Sequence, residues 1–266
     1  MKYTYLHLVF LSFIMASFFS MNAQQENNGE LDMITDRPDA TESPSVVPKG
    51  SLQIETGTYH ESHEENGFRT DLNVLNTTLI RYGLWNNLEL RLGWDFVEEI
   101  KAINDIRSND RLSGLSPLLL GMKVSITAEK NCWPEIGFIG HLKLPFLAGT
   151  DFKPQNTAAN FLFAFSHTLN DKFNLSYNLG AELGDDSSET VYIYSTSYGY
   201  SITDRFGTYV EVYGNISENS ISEQYYDTGV TFLLKRNIQL DATIGKSFKK
   251  GKNALISAGI SFRIPD

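Results

Sequence analysis

Several things are scarce in this chain, and each scarcity excludes something. One cysteine, Cys132, occurs in 266 residues. A lone cysteine builds no disulfide framework, and Cys132 reads as a turn residue with no special task. Prolines number eight, and three of them (Pro38, Pro44 and Pro48) crowd into one stretch. Basic residues are short as well: 22 Lys and Arg against 32 Asp and Glu leave a formal net charge of −10. The basic stripe that nucleic-acid binding requires is absent, so no nucleic-acid partner is expected. Beyond residue 23 no apolar run approaches the ~20 residues that a spanning helix needs. No nucleotide-binding glycine loop occurs, so any transport would follow a gradient or depend on partners.

The exception to the missing apolar runs is the start. Met1 and Lys2 precede an almost wholly apolar stretch from Tyr5 to Phe19, and Ser20, Met21, Asn22 and Ala23 then lead into polar Gln24 and Gln25. At about 15 residues the run is too short for a membrane anchor helix and has the shape of a secretory signal peptide over residues 1–23. No cysteine follows the cleavage region, which speaks against a lipid-anchored N-terminus. Removing Lys2 with this segment takes the net charge to −11.

What the chain does have is aromatic residues (13 Tyr, 17 Phe, 3 Trp) and strict alternation. From Leu88 to Phe96, Leu88, Leu90, Leu92, Trp94 and Phe96 fall on one face and Glu89, Arg91, Gly93 and Asp95 on the other. That is a β-strand with an apolar side and a wet side. Gly83 to Asn87 supplies a tight turn back to Thr77–Tyr82. If Tyr82 faces Leu88, then Arg81 sits opposite Glu89 as a favourable cross-strand pair.

The pattern recurs to the end of the chain. Strands are expected at 51–60, 70–82, 88–96, 114–128, 134–144, 156–169, 173–183, 190–202, 206–216, 224–234, 238–245 and 254–264. Connections alternate between tight turns near 85, 131, 170, 204 and 236 and longer polar loops, including 61–69, 98–113 and 145–155. Twelve strands in up-and-down order, short turns on one side and aromatics near strand ends (Tyr82, Trp85, Phe96, Trp133, Phe146, Phe173, Phe206) describe a transmembrane antiparallel β-barrel over residues 51–266. A secreted β-sandwich also alternates, but it explains neither the girdle nor the turn pattern. The expected location is the outer membrane of a Gram-negative cell, with its lipid as one partner and an unidentified small solute as another. Residues 24–50 are polar and proline-broken. They form either a flexible periplasmic lead-in or a segment folded back into the barrel mouth as a partial plug pinned by Asp36, Arg37, Asp39 and Glu42.

The resemblance becomes specific at Asp36, Arg37, Pro38 and Asp39, through Glu42, Ser43 and Pro44, then Val47, Pro48, Lys49 and Gly50, and Gln53, Ile54 and Glu55. These stretches resemble the outer-membrane transporter family of the meta-pathway phenol-degradation type, in its Bacteroidetes-like form. The likeness covers residues 31–266; beyond the opening motif it is one of pattern. It implies an outer-membrane barrel, with passage of small aromatic or otherwise hydrophobic compounds suspected for some members. It carries no residue-level substrate motif.

The inward face, by alternation, carries Glu55, Asp71, Glu89, Asp95, Glu135, Glu182, Glu211, Asp227 and Asp241 against Arg81, Arg91, Lys123, Lys143 and Arg263. An open lumen with this excess of acids would favour cations or neutral solutes. The expected lumen-lining residues are Arg81, Glu89, Arg91, Asp95, Glu135, Lys143, Glu211 and Asp227, the first four forming a cluster on one hairpin; the bland alternative is that such charges pair and fill the interior. No enzyme is expected. His141 is expected inward, His167 towards lipid or a girdle, and His60 and His63 at a loop, and no serine sits beside a histidine in a recognisable hydrolase motif. No cofactor and no metal are expected. Acidic loops at Asp105 and Asp110 and at Asp185 and Asp186 suit calcium less well than plain solvation. The leading reading is a passive channel or facilitator for small solutes. The other is a non-transporting barrel with a filled lumen and ligand-binding external loops.

Overall fold

The computed structural model describes residues 33–104, 106–184, 189–217 and 222–265. The expected signal peptide and residues 24–32 lie outside these, as do Asp105, Asp185 and Asp186, and the side chain of Asp110. Thirteen antiparallel strands follow one another: β1 (Leu52–Glu65), β2 (Phe68–Trp85), β3 (Leu88–Ile103), β4 (Ile106–Leu115), β5 (Leu118–Thr127), β6 (Glu135–Leu144), β7 (Ala158–Thr168), β8 (Phe173–Leu183), β9 (Val191–Ser201), β10 (Phe206–Ser217), β11 (Gln224–Lys235), β12 (Ile238–Ser247) and β13 (Lys252–Ile264). β13 pairs back onto β1 from Leu52 opposite Ile264 to Glu64 opposite Lys252, so the sheet closes on itself. Closure removes the sheet's edges except along β4, which among the described residues pairs on one side only, as a spanning sheet requires because lipid offers no hydrogen bonds.

Twelve staves make the barrel, since β4 and β5 share one. β3 pairs with β5 over Leu88–Gly93 and with β4 over Phe96–Ile103, and Ser116 and Pro117 mark the break between them. Proline has no N–H to give the ladder, so a strand written across residue 117 divides there.

Two expected loops are strands instead. β1 and β2 run on through residues 61–69, and β3 and β4 through most of 98–113. The reason at the first is local: Asn66 and Gly67 both have positive φ (53° and 79°), the conformation of a two-residue hairpin turn that Asn-Gly adopts readily. His60 and His63 therefore lie within β1 rather than at a loop.

The turn of the Thr77–Phe96 hairpin carries a bulge between Gly83 and Trp85, which sets Tyr82 opposite Leu90 and Arg81 opposite Arg91. The expected Arg81–Glu89 cross-strand register is displaced accordingly, and the two side chains meet along a diagonal.

Inside and outside separate cleanly. On β3, Leu90 is 45% exposed while its neighbours Glu89 and Arg91 are 0% and 2% exposed. The outward band continues through Leu120, Met122, Leu142, Phe161, Phe163, Leu179, Val210, Phe232, Ile244 and Ile260. The buried groups are mostly polar, the reverse of a water-soluble core and the expected inversion of an outer-membrane barrel. Among the described residues no helix is long and apolar enough to cross a membrane, a finding that does not bear on strands.

Candidate functional site in the barrel interior

Residues 33–50 run inside the barrel and are tied to strands all round it. At the turn end the Gly50 N–H donates to the Gly83 carbonyl (2.7 Å), and Lys49 bridges Gly83 in parallel. The Val47 N–H donates to Glu89 (2.8 Å), and the Ser45 hydroxyl donates to Glu135 (2.9 Å). Asn178 clamps Glu42 by a reciprocal pair, accepting from its N–H (2.7 Å) and donating to its carbonyl (2.9 Å). On the far wall Glu211 accepts from the Ala40 N–H (2.8 Å) and from the Thr41 hydroxyl. Arg37 donates to Asp241 (2.9 Å), Ser257 (3.0 Å) and Thr77 (3.2 Å).

Space for this segment comes from missing side chains on the inner wall. A Cβ at Gly83 would strike the Pro48 carbonyl, one at Gly137 would strike Pro44, and one at Gly57 or Gly259 would strike the Arg37 guanidinium. The room beside these four glycines is taken by Arg37, Pro44 and Pro48.

The centre of the site is Asp36. Its carboxylate accepts from Lys123 Nζ (2.7 and 2.9 Å) and from Arg91 Nη1 (2.8 Å), with Arg81 Nη1 at 3.2 Å, while its own N–H donates to Glu55 (3.0 Å). Arg81 in turn forks onto Glu89 with two bonds of 2.9 Å and reaches Glu55 at 2.8 Å. Arg91 Nη2 meets Glu42 at 2.7 Å. Burial alone would push the Asp36 carboxyl up. The three cations overcome it and hold the group well below the usual carboxylate range. Such a network specifies one geometry for the segment, since each ion would be stranded without its partners.

Of the four charges expected together on the first hairpin, Arg81, Glu89 and Arg91 meet around Asp36, whereas Asp95 does not join them. Four residues further along β3 than Arg91, Asp95 lines a cavity of about 650 Å³ on the loop side of the segment, together with Arg37, His141, Lys143 and Asn160. Lys143 pairs with Glu182 (2.8 Å) on the rim of this region. Asp227 lies on the opposite wall beside Glu211; its Oδ1 has no hydrogen-bond partner. Asp39 hydrogen-bonds Ser197 and faces Glu211, and burial together with that neighbouring carboxylate raises its pKa well above the ordinary value. Lys123 and Glu55 stand at the centre of the network although the eight expected lumen-lining residues leave them out. The signal for both was already present, because their strands' alternation puts them on the inward face.

Residues 35–264 match the family described as "Putative MetA-pathway of phenol degradation". The chain belongs to this family. Among solved structures it is similar to an outer-membrane channel from Pseudomonas putida F1, at 14% identity over 83% of this chain and 97% of that one, with a TM-score of 0.68. It is also similar to the β-domain of the Bordetella autotransporter BrkA (10% identity, 80% and 99% covered, TM-score 0.55). The KdgM porin is a further likeness (10% identity, 80% and 98% covered, TM-score 0.51). No curated protein matches the chain. At these identities the likenesses establish the fold, an outer-membrane β-barrel, and agree with the inverted burial described above.

Proposed function

We propose that this barrel is a passive outer-membrane channel or facilitator for small hydrophobic or aromatic solutes, with residues 33–50 narrowing its lumen. The observation that carries the reading is the 650 Å³ cavity seated on the segment, walled by apolar Leu79, Pro117 and Leu119 on one part and by charged residues, among them Arg37, Arg91 and Asp95, on the rest. A space of that size with apolar and charged walls suits a small molecule with an apolar body and polar groups at one end. The known channels of similar fold and the family's name point the same way. The density of ties between the segment and the wall favours the second reading, a filled barrel that transports nothing and binds through its loops. Initial-rate uptake of radiolabelled toluene by Gram-negative cells expressing the chain separates the two. Uptake above that of cells expressing a non-transporting barrel supports the channel; equality, with the protein shown to be folded in the outer membrane, supports the filled barrel.

A further inference from the structure

The barrel wall is uneven. β2 and β3 are 18 and 16 residues long, while β5 and β6 are 10 each. β4 continues the tall side but pairs with β3 alone, so among the described residues its other edge has no strand beside it. The neighbouring stave has already ended: β6 stops at Leu144, level with Leu118, and β7 begins at Ala158 opposite Lys143. A notch is left in the wall between β4 and β7, at the outer rim of the apolar band.

The connection Pro145–Phe152 fills that notch as a strap of two short 3-10 turns. The Gly149 N–H donates to the Leu115 carbonyl (2.9 Å), and the Ser113 N–H donates to the Asp151 carboxylate (3.0 Å). Gly114 and Gly149 pass so closely that a Cβ on either would lie 3.1 or 3.0 Å from the other's Cα. On the outer side the strap exposes Phe146 and Leu147 next to Leu115. On the inner side Ser116, Pro117, Leu119, Lys143 and Asn160, all around the base of the notch, line the 650 Å³ cavity. Hydrogen bonds from a strap are easier to open than a strand ladder, because few bonds must break at once.

We propose that Pro145–Phe152 closes a side port between β4 and β7, through which a small, uncharged, apolar solute passes between the outer rim of the membrane and the cavity. The port rests on the transport reading above. Its outer lip is apolar where it meets lipid, and its inner mouth opens into the cavity beside Leu119 and Pro117, with Asp36, Glu42, Glu55 and Arg91 of the ionic network on the cavity's wall.

The test is a reversible lock. In a Cys132→Ser background, Gly114→Cys with Gly149→Cys places two thiols where the backbones touch. Heat-modifiable gel mobility establishes folding. With dithiothreitol, cells should take up radiolabelled toluene as the parent does; oxidation should cut that rate by about tenfold, as locking a lid does. Failure of parent and reduced variant alike to exceed background overturns the transport reading. Uptake in the reduced variant that survives complete cross-linking overturns the port while leaving transport intact. Asp151→Ala tests the same point without the cysteines: loss of its bond to Ser113 should raise the uptake rate by about threefold, and an unchanged or lower rate contradicts the port.

Discussion

The same short segment meets two very different walls. Where Asp36 turns towards β1, β2, β3 and β5, every acid finds a base: Arg81, Arg91 and Lys123 sit among Asp36, Glu42, Glu55 and Glu89. Where Asp39 and Thr41 turn towards β9, β10 and β11, Asp39, Glu211 and Asp227 form no ion pair among the described residues. One side is held by compensated charge, the other by hydrogen bonds to carboxyl groups that repel one another when ionised. The segment's grip is therefore expected to be firm on the first wall and conditional on the second.

The largest effect should follow from breaking the compensated side. Asp36→Ala takes the nearest acceptor from Lys123 and one of the anions from Arg91, at a cost of about 3 kcal/mol. A lower urea midpoint for the shift in gel mobility would register it. An unchanged midpoint would mean that the network contributes little to the folded state.

Next in size is a contrast of like substitutions. Glu55→Gln should destabilise, since Arg81 and the Asp36 N–H both rely on that carboxylate. Glu211→Gln should be neutral or stabilising, because the amide oxygen still accepts from Ala40 while the repulsion with Asp39 and Asp227 is relieved. Equal losses from the two variants would erase the distinction between the walls.

The pH response should be one-sided. Asp36 is held below the usual carboxylate range, so what it contributes is present at neutral pH and lost only far into acid. Asp39 is raised, so its contribution is complete in acid and declines as pH rises through its elevated value. A nitroxide placed at Ala40 should become more accessible to a water-soluble relaxation agent as the pH is raised from acid through the elevated value of Asp39. Asp39→Asn should flatten that change. A label equally accessible at both ends contradicts the conditional grip.

The smallest expected effect is at Asp95, which lines the cavity and, among the described residues, makes no ion pair with the network. Asp95→Ala should alter cation preference through any open path and leave the urea midpoint nearly where it was, within about 0.5 kcal/mol.

Much of this was legible from alternation. The Leu90 and Glu89 faces, the tight turns and the inward positions of Arg81, Arg91 and His141 follow from a period of two, which sterics enforce locally. Less was legible wherever the chain meets itself at a distance. Asn66 and Gly67 did announce a hairpin inside what reads as a charged loop, and charge obscured it because strands above the membrane need no apolar face. The bulge at Gly83 moved Arg81 off its simple partner. Nothing in the alternation says that Gly57, Gly137 and Gly259 make room for residues 37–44 rather than for a solute, because the segment's path depends on contacts across more than two hundred residues of sequence, such as Arg37 with Asp241.

The central claim is that residues 33–50 narrow a conducting barrel. Single-channel conductance of the refolded chain starting at residue 24, compared with one starting at residue 51, tests it most directly. The account predicts a small steady conductance that rises when the segment is removed. Identical conductance from the two, or silence in both with barrel folding established by heat-modifiable mobility, would contradict it.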